Sequence, residues 1–435
     1  MRVFYEDGIV VQDGIKEIIL DPARPTPGSI VSHGHLDHLT EGGVMTPETL
    51  EILKVRKGSS VATPLPYNRE REVNGFRVRL RDAGHVFGSA MVRADDLLYT
   101  GDMNTEGGVT CGKAVPERCT TLVIEATYGK PYLNFPPKHV VEGDLLNWVE
   151  FELAEGPVAL GGYDFGKAQE LIALVNRLKV EVAVSDRIAD IADVYRGAGV
   201  KLAYRRISEL SESERKDPRV YVLPRGWLKP PLEESVSWLG QVGMRTAYCS
   251  GWCTIYDFTR SYGLDAQFPL SDHADFDGLL RFVEACRPKR VYTVFSHPVD
   301  LAKEIDRRLR IPAEPLRMKS IGMVRDFEVG YFDGAAYRKR TFGPPHELLA
   351  LHGSISAGAD PPFHLHIAAG NESHGVVGGH LFKATVSTLN EICIARFETL
   401  RLGRELSPRS GLRELVLEPA AIDTGPRRSR GRSRT

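Results

Sequence analysis

The strongest constraint on this chain is a dense run of metal-binding side chains near its start, SHGHLDH at residues 32–38. His33 and His35 are two positions apart, so in an extended chain their side chains point to the same side. Asp37 and His38 follow on a predicted turn and can face a second ion. Imidazole and carboxylate ligands together suit zinc, and zinc sites that keep an open position are catalytic rather than structural. We therefore predict a metal centre here rather than a chance cluster of histidines on a surface loop.

Two further candidate ligands follow predicted strands. His85 comes after the strand predicted for residues 76–80, and Asp102 comes after the strand predicted for residues 97–99. Taken alone, a single histidine is more often structural, and a Gly-Asp pair is usually part of a turn. Their order behind the first cluster favours the interpretation that both belong to the same metal centre.

Length and charge limit the class of protein. The 435 residues predict two to three domains with a large core. No run of 18 apolar residues is present, and the first residues carry acids where a signal peptide needs an apolar stretch, so we expect a cytoplasmic protein with no membrane partner. A net charge of -1 does not by itself indicate a polyanionic partner.

The spacing of predicted strands and helices changes along the chain. Residues 1–135 contain short strands and turns, including strands predicted at 29–32 and 120–126. Strands and helices alternate over residues 138–245, which is typical of a parallel sheet covered by helices. Two more strand–helix units follow as far as residue 315.

The remainder of the chain has a different composition. Residues 316–415 are rich in glycine, histidine and β-forming segments. Residues 416–435 form a predicted disordered basic tail, with five arginines and no acid among the last ten residues. Such a tail is usually solvated, and it can also contact phosphates weakly.

The metal-binding run, His85 and Asp102 in this order resemble the metallo-β-lactamase superfamily. Further segments resemble its β-CASP nucleases in particular: VIEATYG at 123–129, GKAQEL at 166–171, SGW at 250–252 and LSDHAD at 270–275. The resemblance covers residues 1 to about 315. It implies an αββα metallo-β-lactamase sandwich (1–135 and 246–315) with an inserted β-CASP α/β domain (136–245). The β-CASP group includes messenger-RNA 3′-end cleavage factors, RNA exonucleases, and DNA-repair or ligase-associated exonucleases.

The resemblance also implies the ligands of two Zn²⁺ ions, for which Mn²⁺ can substitute. These ligands are His33, His35 and His85 for the first ion, Asp37 and His38 for the second, and Asp102 for both. Two such ions can hold the attacking and leaving oxygens of a phosphodiester displacement, and they make hydroxide available near neutral pH.

Two further residues match catalytic positions of the β-CASP group. His273 corresponds to the histidine that assists the leaving oxygen, and Glu125 corresponds to the acid that orients that histidine. An alkoxide is a poor leaving group, so a proton donor would help. A carboxylate on the far ring nitrogen would fix the tautomer of the imidazole.

The chain departs from the β-CASP pattern at its last motif. Phe295 stands where RNA-cutting members carry a histidine that completes the second zinc site. His297 lies two residues later, and a shift of two keeps the side-chain direction in an extended chain. The sequence leaves open whether His297 substitutes as a ligand. DNA-cutting relatives also lack this histidine, so the choice between RNA and DNA stays open as well.

Residues 317 to about 400 resemble a second family, the PPC domain (plants and prokaryotes conserved), which is α+β. The matching segments are SIGMVRD at 320–326, VGYFDG at 329–334, LHGSIS at 351–356, FHLH at 363–366 and GGHL at 378–381. The resemblance implies a further Zn²⁺ on three histidines, His364, His366 and His380, which can equally be structural residues of a β-face. PPC domains commonly form trimers, but this copy looks shortened at its start or fused to the preceding part, so the sequence leaves its integrity and its oligomerisation open.

We therefore expect a zinc-dependent phosphodiesterase that cuts RNA, either as an exonuclease or as an endonuclease. The alternatives are a single-stranded DNA exonuclease of the repair or ligase-associated type, a non-catalytic scaffold, and a thioester or lactam hydrolase. The nearly complete ligand set argues against the scaffold, and the inserted domain argues against the small-substrate hydrolase. Expected partners are nucleic acid, with RNA favoured over single-stranded DNA, and further copies of the chain. The copies would form a dimer through the nuclease part or a trimer through the PPC-like part.

Overall fold

The structure is a computed structural model that describes residues 1–217, 219–228, 243–316, 321–334, 336–356, 362–391, 400–407 and 413–419. The chain divides into two compact units, Met1–Leu316 and Arg317–Thr435. Within the described ranges, each helix is too short or too polar to cross a lipid bilayer.

The first unit contains eighteen described strands and seven described α-helices. Its strands are β1 (Arg2–Tyr5), β2 (Ile9–Asp13), β3 (Lys16–Leu20), β4 (Val44–Met45), β5 (Thr63–Pro64), β6 (Glu70–Val73), β7 (Phe76–Asp82), β8 (Ala90–Ala94), β9 (Leu97–Tyr99), β10 (Thr121–Glu125), β11 (Val158–Gly162), β12 (Val182–Val184), β13 (Arg205–Arg206), β14 (Val220–Pro224), β15 (Arg245–Cys249), β16 (Ala266–Phe268), β17 (Arg290–Val294) and β18 (Ala313–Pro315). Its helices are α1 (Pro47–Lys57), α2 (Lys138–Leu153), α3 (Lys167–Val175), α4 (Asp186–Gly197), α5 (Phe258–Tyr262), α6 (Phe276–Cys286) and α7 (Pro298–Leu309).

Two sheets form the centre of this unit. A seven-stranded sheet has the order β18-β17-β10-β9-β8-β7-β6, and the antiparallel strands β1–β3 form the second sheet. Alternate residues of β2 and β7, such as Val11 and Val78, are buried in one apolar core. Helices α6 and α7 bury apolar side chains against the other face of the large sheet, including Leu122 and Ile124 of β10. The predicted metallo-β-lactamase sandwich is confirmed.

One predicted strand of this region is replaced by a more open connection. Within residues 29–32, Ile30 makes isolated bridges to Leu20 and Val44, and no strand forms. This irregular backbone leads directly into the predicted ligands at residues 32–38. The segment is therefore fixed at its start by the bridges, while the ligands themselves lie on a loop.

The inserted domain is built on a six-stranded parallel sheet with the order β13-β12-β14-β11-β15-β16. Helices α2, α3 and α4 bury their apolar sides with one face of this sheet. The predicted boundary at residue 245 differs from the structure, because β15 pairs with β11 and β16 pairs with β15. Hydrogen bonding thus carries the insert to Phe268, about twenty residues beyond the point where the sequence pattern changes.

The second unit consists of strands in the residues that the structure describes. They are β19 (Ile321–Phe332), β20 (Tyr337–Phe342), β21 (His346–Ile355), β22 (Phe363–Gly370), β23 (Val376–Glu391), β24 (Leu400–Leu406) and β25 (Arg413–Pro419). Strand β23 returns to pair with β19, so β19, β21, β22 and β23 close on themselves. Strand β25 covers the first four residues of the predicted tail, so residues 416–419 are ordered in a sheet. Residues 420–435 lie outside the described part of the chain.

Candidate metal centre

The metal centre lies where several strands of the large sheet end. Asp102 follows β9, Glu125 is the last residue of β10, and His85 follows β7. Because β9, β10 and β17 run parallel, their carboxyl ends lie at one edge of the sheet. Loops at this edge of a parallel sheet commonly form the active site of α/β proteins.

Three imidazoles converge on one point at this edge. His35 Nδ1 lies 3.0 Å from His33 Nε2 and 3.1 Å from His85 Nε2. Nitrogens that bind one zinc ion tetrahedrally at about 2.0–2.1 Å are about 3.3 Å apart, so the observed spacing fits a single ion. Glycine is required at position 34, because a Cβ atom there would lie 2.6 Å from the Ile52 side chain.

The three imidazoles are held in the neutral form. Burial lowers the pKa of His33 and of His85 well below the usual value, and it lowers the pKa of His35 to about 3. Each imidazole also raises the cost of a positive charge on its neighbours. Because the neutral ring is the form that binds a metal, the cluster is ready for a cation without losing a proton.

Asp102 stands between the two groups of ligands. Its Oδ2 atom lies 3.5 Å from His33 Nε2, 3.7 Å from His85 Nε2 and 3.8 Å from His38 Nε2. Burial raises the pKa of this carboxyl to about 6, which shows how strongly the surroundings oppose a lone negative charge there. A cation would relieve this cost, and the position fits a carboxylate that bridges two ions.

The second group of ligands is more open. His38 Nε2 lies 3.8 Å from Asp37 Oδ2, and the Asp37 side chain is 81% exposed. Burial would lower the pKa of His38, but Asp102 and Asp21 outweigh burial and raise it to about 10. The carboxylates therefore attract positive charge to this point, as a second cation site requires. The described structure thus brings His33, His35, Asp37, His38, His85 and Asp102 together.

Asp21, which no sequence motif indicated, supports both groups of ligands. Its Oδ2 atom accepts hydrogen bonds from His38 Nδ1 at 2.8 Å, from Tyr99 Oη at 2.6 Å and from Ser32 Oγ at 2.6 Å. Ser32 Oγ in turn lies 2.9 Å from His33 Nδ1. Asp21 thus orients His38 directly and His33 through Ser32. The signal in the sequence was its place directly after the apolar strand β3, where the other ligands follow their own strands.

The remaining ligands are oriented by backbone carbonyls. His85 Nδ1 donates to the carbonyl of Asp272 at 2.9 Å, and His35 Nε2 donates to the carbonyl of Phe165 at 3.3 Å. Every imidazole of the cluster therefore has one nitrogen fixed by an acceptor and the other directed to the cluster. This arrangement of outer partners is typical of metal-binding histidines.

The inserted domain contributes a buried ion pair behind His85. The Lys167 ammonium at the start of α3 lies 2.5 Å from Asp272 Oδ1 and 2.9 Å from Glu170 Oε2. Burial would lower the pKa of Lys167, but the two carboxylates outweigh it and raise the pKa. Since the Asp272 carbonyl orients His85, this network fixes the insert to the metal centre. The sequence pointed to the segments at 166–171 and 270–275, although not to this pairing.

The structure shows what replaces the β-CASP motif histidine at the end of β17. The Phe295 ring lies 5.0 Å from the His38 ring, edge to face, at the second group of ligands. His297 is the N-cap residue directly before helix α7, and its ring lies 6.4 Å from the Trp252 ring. Among the described residues, His297 belongs to none of the ligand clusters. The structure thus does not support His297 as a replacement for the histidine ligand that is missing at position 295. The reason is that the backbone has positive φ at Phe295 and Ser296, which ends the extended conformation before His297.

His273 and Glu125 form a hydrogen-bonded pair beside the ligands. His273 Nδ1 lies 3.0 and 3.1 Å from the two Glu125 oxygens. Glu125 also accepts from the backbone amides of Met103 at 2.6 Å and Thr127 at 3.3 Å. Burial would lower the pKa of His273, but Glu125 outweighs burial and raises it to about 9. Glu125 therefore favours the protonated form of this imidazole.

A separate group of histidines lies in the second unit. The Nε2 atoms of His364 and His366 are 3.2 Å apart, and the His380 ring lies 4.9 and 5.4 Å from their rings. The pairing of His366 with His380 across β22 and β23 brings them together. Burial and the neighbouring imidazoles lower the pKa of His380 to about 4, so it is neutral. The three side chains can hold one metal ion between them.

Comparison with known proteins gives one family match near the end of the chain. Residues 297–398 match the model of the Plants and Prokaryotes Conserved (PCC) domain, which is the PPC domain of the sequence analysis. The matched range begins with α7, which packs on the large sheet of the first unit.

Several curated proteins are similar to longer parts of the chain. A "Probable DNA ligase" of Opitutus terrae is 28% identical over 389 residues, which are 87% of this chain and 36% of that protein. The "RNase aCSPSF2" of Saccharolobus solfataricus is 28% identical over 198 residues, 35% of this chain and 40% of that protein. The "DNA cross-link repair protein SNM1" of Arabidopsis thaliana is 25% identical over 293 residues, 60% of this chain and 59% of that protein.

The chain therefore spans between about one third and three fifths of the length of these relatives. With the fold described above, these similarities confirm the resemblance of the chain to the β-CASP group of the metallo-β-lactamase superfamily, and residues 297–398 match the PCC domain.

Proposed function

We propose that this protein is a metal-dependent nuclease that hydrolyses phosphodiester bonds of nucleic acid. The observation that carries the proposal is the convergence of two groups of metal ligands beside the hydrogen-bonded pair of His273 and Glu125. The relatives named as an RNase and as a DNA repair protein support the same class of activity. A scaffold without activity would not need this nearly complete set of oriented ligands.

The donor set fits two divalent cations, and we propose Zn²⁺. His33, His35 and His85 would hold one ion, His38 and Asp37 the other, and Asp102 both. When bound, such a pair supplies an activated water molecule and stabilises charge on the leaving oxygen. Neutral imidazole and carboxylate ligands suit zinc, and Mn²⁺ can occupy the same set.

His273 would supply the proton that the leaving oxygen needs. Its Nδ1 atom is engaged by Glu125, so the proton on Nε2 is the one available to a bound strand. When the P–O bond breaks, the oxygen that leaves takes this proton and departs as a neutral hydroxyl. Glu125, held by two backbone amides, keeps the ring in place during this step.

We propose single-stranded DNA as the substrate, although RNA was the expectation from the sequence alone. Two observations support DNA. Phe295 lies against His38 where RNA-cutting members carry a ligand, so the second group has fewer donors. The relative that matches 87% of the chain is named for DNA. RNA remains the second candidate, because the "RNase aCSPSF2" matches the chain with the same identity over a shorter range.

The test is a cleavage assay on matched, end-labelled RNA and single-stranded DNA of one sequence, with added Zn²⁺ or Mn²⁺. The Asp37→Ala variant is the control, and a duplex of the same DNA is a third substrate. Cleavage of DNA alone by the wild-type protein would support the proposal as stated. Preferential cleavage of RNA would keep the nuclease and reject the DNA assignment. No cleavage of either strand by protein with two bound metal ions would reject the nuclease.

A further inference from the structure

A row of aromatic rings leads away from His273 towards solvent. The Tyr128 ring lies 5.9 Å from the His273 ring and 4.7 Å from the Trp252 ring, and Trp252 lies 6.1 Å from Tyr256. We call Tyr128, Trp252 and Tyr256 the aromatic row. Tyr128 is buried, Trp252 is half-buried and Tyr256 is 56% exposed. The row thus connects the proton donor of the proposed reaction with the surface of the protein.

The local sequence fixes these rings in place. Gly251 lies so close to Tyr128 that a side chain there would collide with the phenol oxygen. The Ser250 hydroxyl accepts a hydrogen bond from the Trp252 amide at 3.3 Å and holds the short turn that follows. The geometry of this turn therefore holds Trp252 in contact with Tyr128, while part of the Trp252 ring stays accessible.

An exposed arginine and tyrosine of the inserted domain lie near the row. Arg225 lies over the Tyr163 ring at 5.4 Å, and Tyr163 is 44% exposed. The short helix that carries Arg225 packs beside Tyr248, because a Cβ atom at Gly161 would meet the side chains of both Leu228 and Tyr248. The Phe258 ring lies 4.8 Å from the Tyr248 ring and 6.0 Å from the Tyr256 ring, so it joins this part of the insert to the row. This side of the active site therefore presents accessible ring faces together with one positive charge, a combination that binds single-stranded nucleic acid.

We propose that the two accessible rings of the aromatic row, Trp252 and Tyr256, stack unpaired bases of the strand next to the scissile phosphate, with Arg225 on the backbone of that strand, so that the protein selects single strands over duplex. This inference rests on the proposed nuclease function. Every base has a flat π-face, so stacking on Trp252 and Tyr256 is tolerant of sequence. In a duplex the bases are already stacked and paired, and their faces are not available to these rings.

The first experiment measures binding without cleavage, by fluorescence anisotropy of a labelled 15-nucleotide strand and its duplex, on proteins that carry Asp37→Ala. Tyr256→Ala and Trp252→Ala should each weaken binding of the single strand about 5- to 100-fold. Duplex binding should not change. The matched control is Phe151→Ala, which removes an exposed ring (72%) from α2 and should leave both affinities unchanged. Equal losses for single strand and duplex would overturn the proposal.

A second measurement separates stacking from a merely structural role. A set of strands is prepared in which one abasic site occupies successive positions. The affinity of each strand is then measured for two proteins, the Asp37→Ala variant and the Asp37→Ala/Tyr256→Ala double variant. At the stacked position, removal of the base should weaken binding to the protein with the intact row. In the protein that carries Tyr256→Ala, the same removal should not lower the affinity further. Additive losses at every position would overturn the proposal. This test stands even if Trp252→Ala fails to fold, because Tyr256 is largely exposed.

The salt dependence of binding provides the last readout. Tyr256→Ala should leave the slope of log affinity against log salt unchanged, whereas Arg225→Ala should reduce its magnitude by about 0.7 for a single strand. An altered slope in Tyr256→Ala would overturn the stacking role.

The proposed nuclease function and the proposed stacking role fail in different ways. Normal cleavage with no effect of the ring variants rejects the stacking role of the aromatic row alone. Intact stacking with no cleavage by metal-loaded protein rejects the nuclease alone.

Discussion

Replacing Asp21 with asparagine should weaken the second metal site and destabilise the fold by separable amounts. The Asp21 carboxylate accepts four hydrogen bonds, all between 2.6 and 2.8 Å, from Ser32, His38 and Tyr99. An amide keeps one oxygen but turns its NH₂ group towards at least one of these donors. The substitution thus orphans a buried donor, which costs about 1–3 kcal/mol of unfolding free energy.

The effect on metal binding follows from the same contacts. Asp21 fixes the ring of His38 and, through Ser32, that of His33. Loss of such an outer partner usually weakens metal affinity about 10- to 100-fold, or about 1.4–2.8 kcal/mol. Competition with a chelator of known affinity would measure the metal affinity, and denaturant unfolding of the metal-free protein would measure stability. We expect a loss in both.

The matched control for this experiment is Asp96→Asn. Asp96 is exposed and bonded to Arg93 and Thr120, so its loss should cost less than about 1 kcal/mol and leave metal affinity unchanged. If Asp21→Asn lowered stability while both metal ions kept wild-type affinity, Asp21 would be structural only, and our account of the site's outer partners would be refuted.

The remaining predictions address single parts of the site. Asp37→Ala should abolish cleavage and retain the melting temperature of the metal-free protein, because this side chain is 81% exposed; normal turnover would contradict a two-metal reaction. His273→Ala should slow cleavage about 10²- to 10⁴-fold with the metal-to-protein ratio unchanged, and a loss of metal would show that it is a ligand instead. Phe295→His should tighten the second metal ion, measured by the same chelator competition, since it adds a donor beside His38; unchanged affinity would mean that the ring cannot reach the ion. His364→Ala should remove one metal ion per chain, measured by elemental analysis, with cleavage unaffected. An unchanged metal-to-protein ratio would contradict a metal site on the three histidines of the second unit.

The metal-binding run could be read from the sequence because its ligands are neighbours in the chain. His33, His35, Asp37 and His38 are brought together by local geometry at one edge of the sheet. His85 and Asp102 could also be predicted, since both follow strands of one sheet whose ends meet. Their roles as ligands of two ions stay a prediction that the metal measurements above would test.

Other features depend on contacts between distant segments. Asp21 carries no local pattern, and it becomes important only because β3 ends beside His38. The end of the insert at Phe268 is decided by hydrogen bonds between β15, β16 and β11, whereas a sequence pattern shows only where apolar periodicity changes. The place of His297 was decided by two residues with positive φ, which a count of positions along an extended strand cannot foresee.

The sequence by itself determined the alternation of strands and helices in the insert, the first cluster of ligands and the kind of chemistry that imidazole and carboxylate side chains can perform. These properties depend on neighbours within a few residues. Only the tertiary structure decided which ring nitrogens converge, which carboxylate supports them, and which rings line the path from His273 to solvent. Those contacts join residues that are far apart in the chain, and their geometry is fixed by how the two sheets and the inserted domain pack.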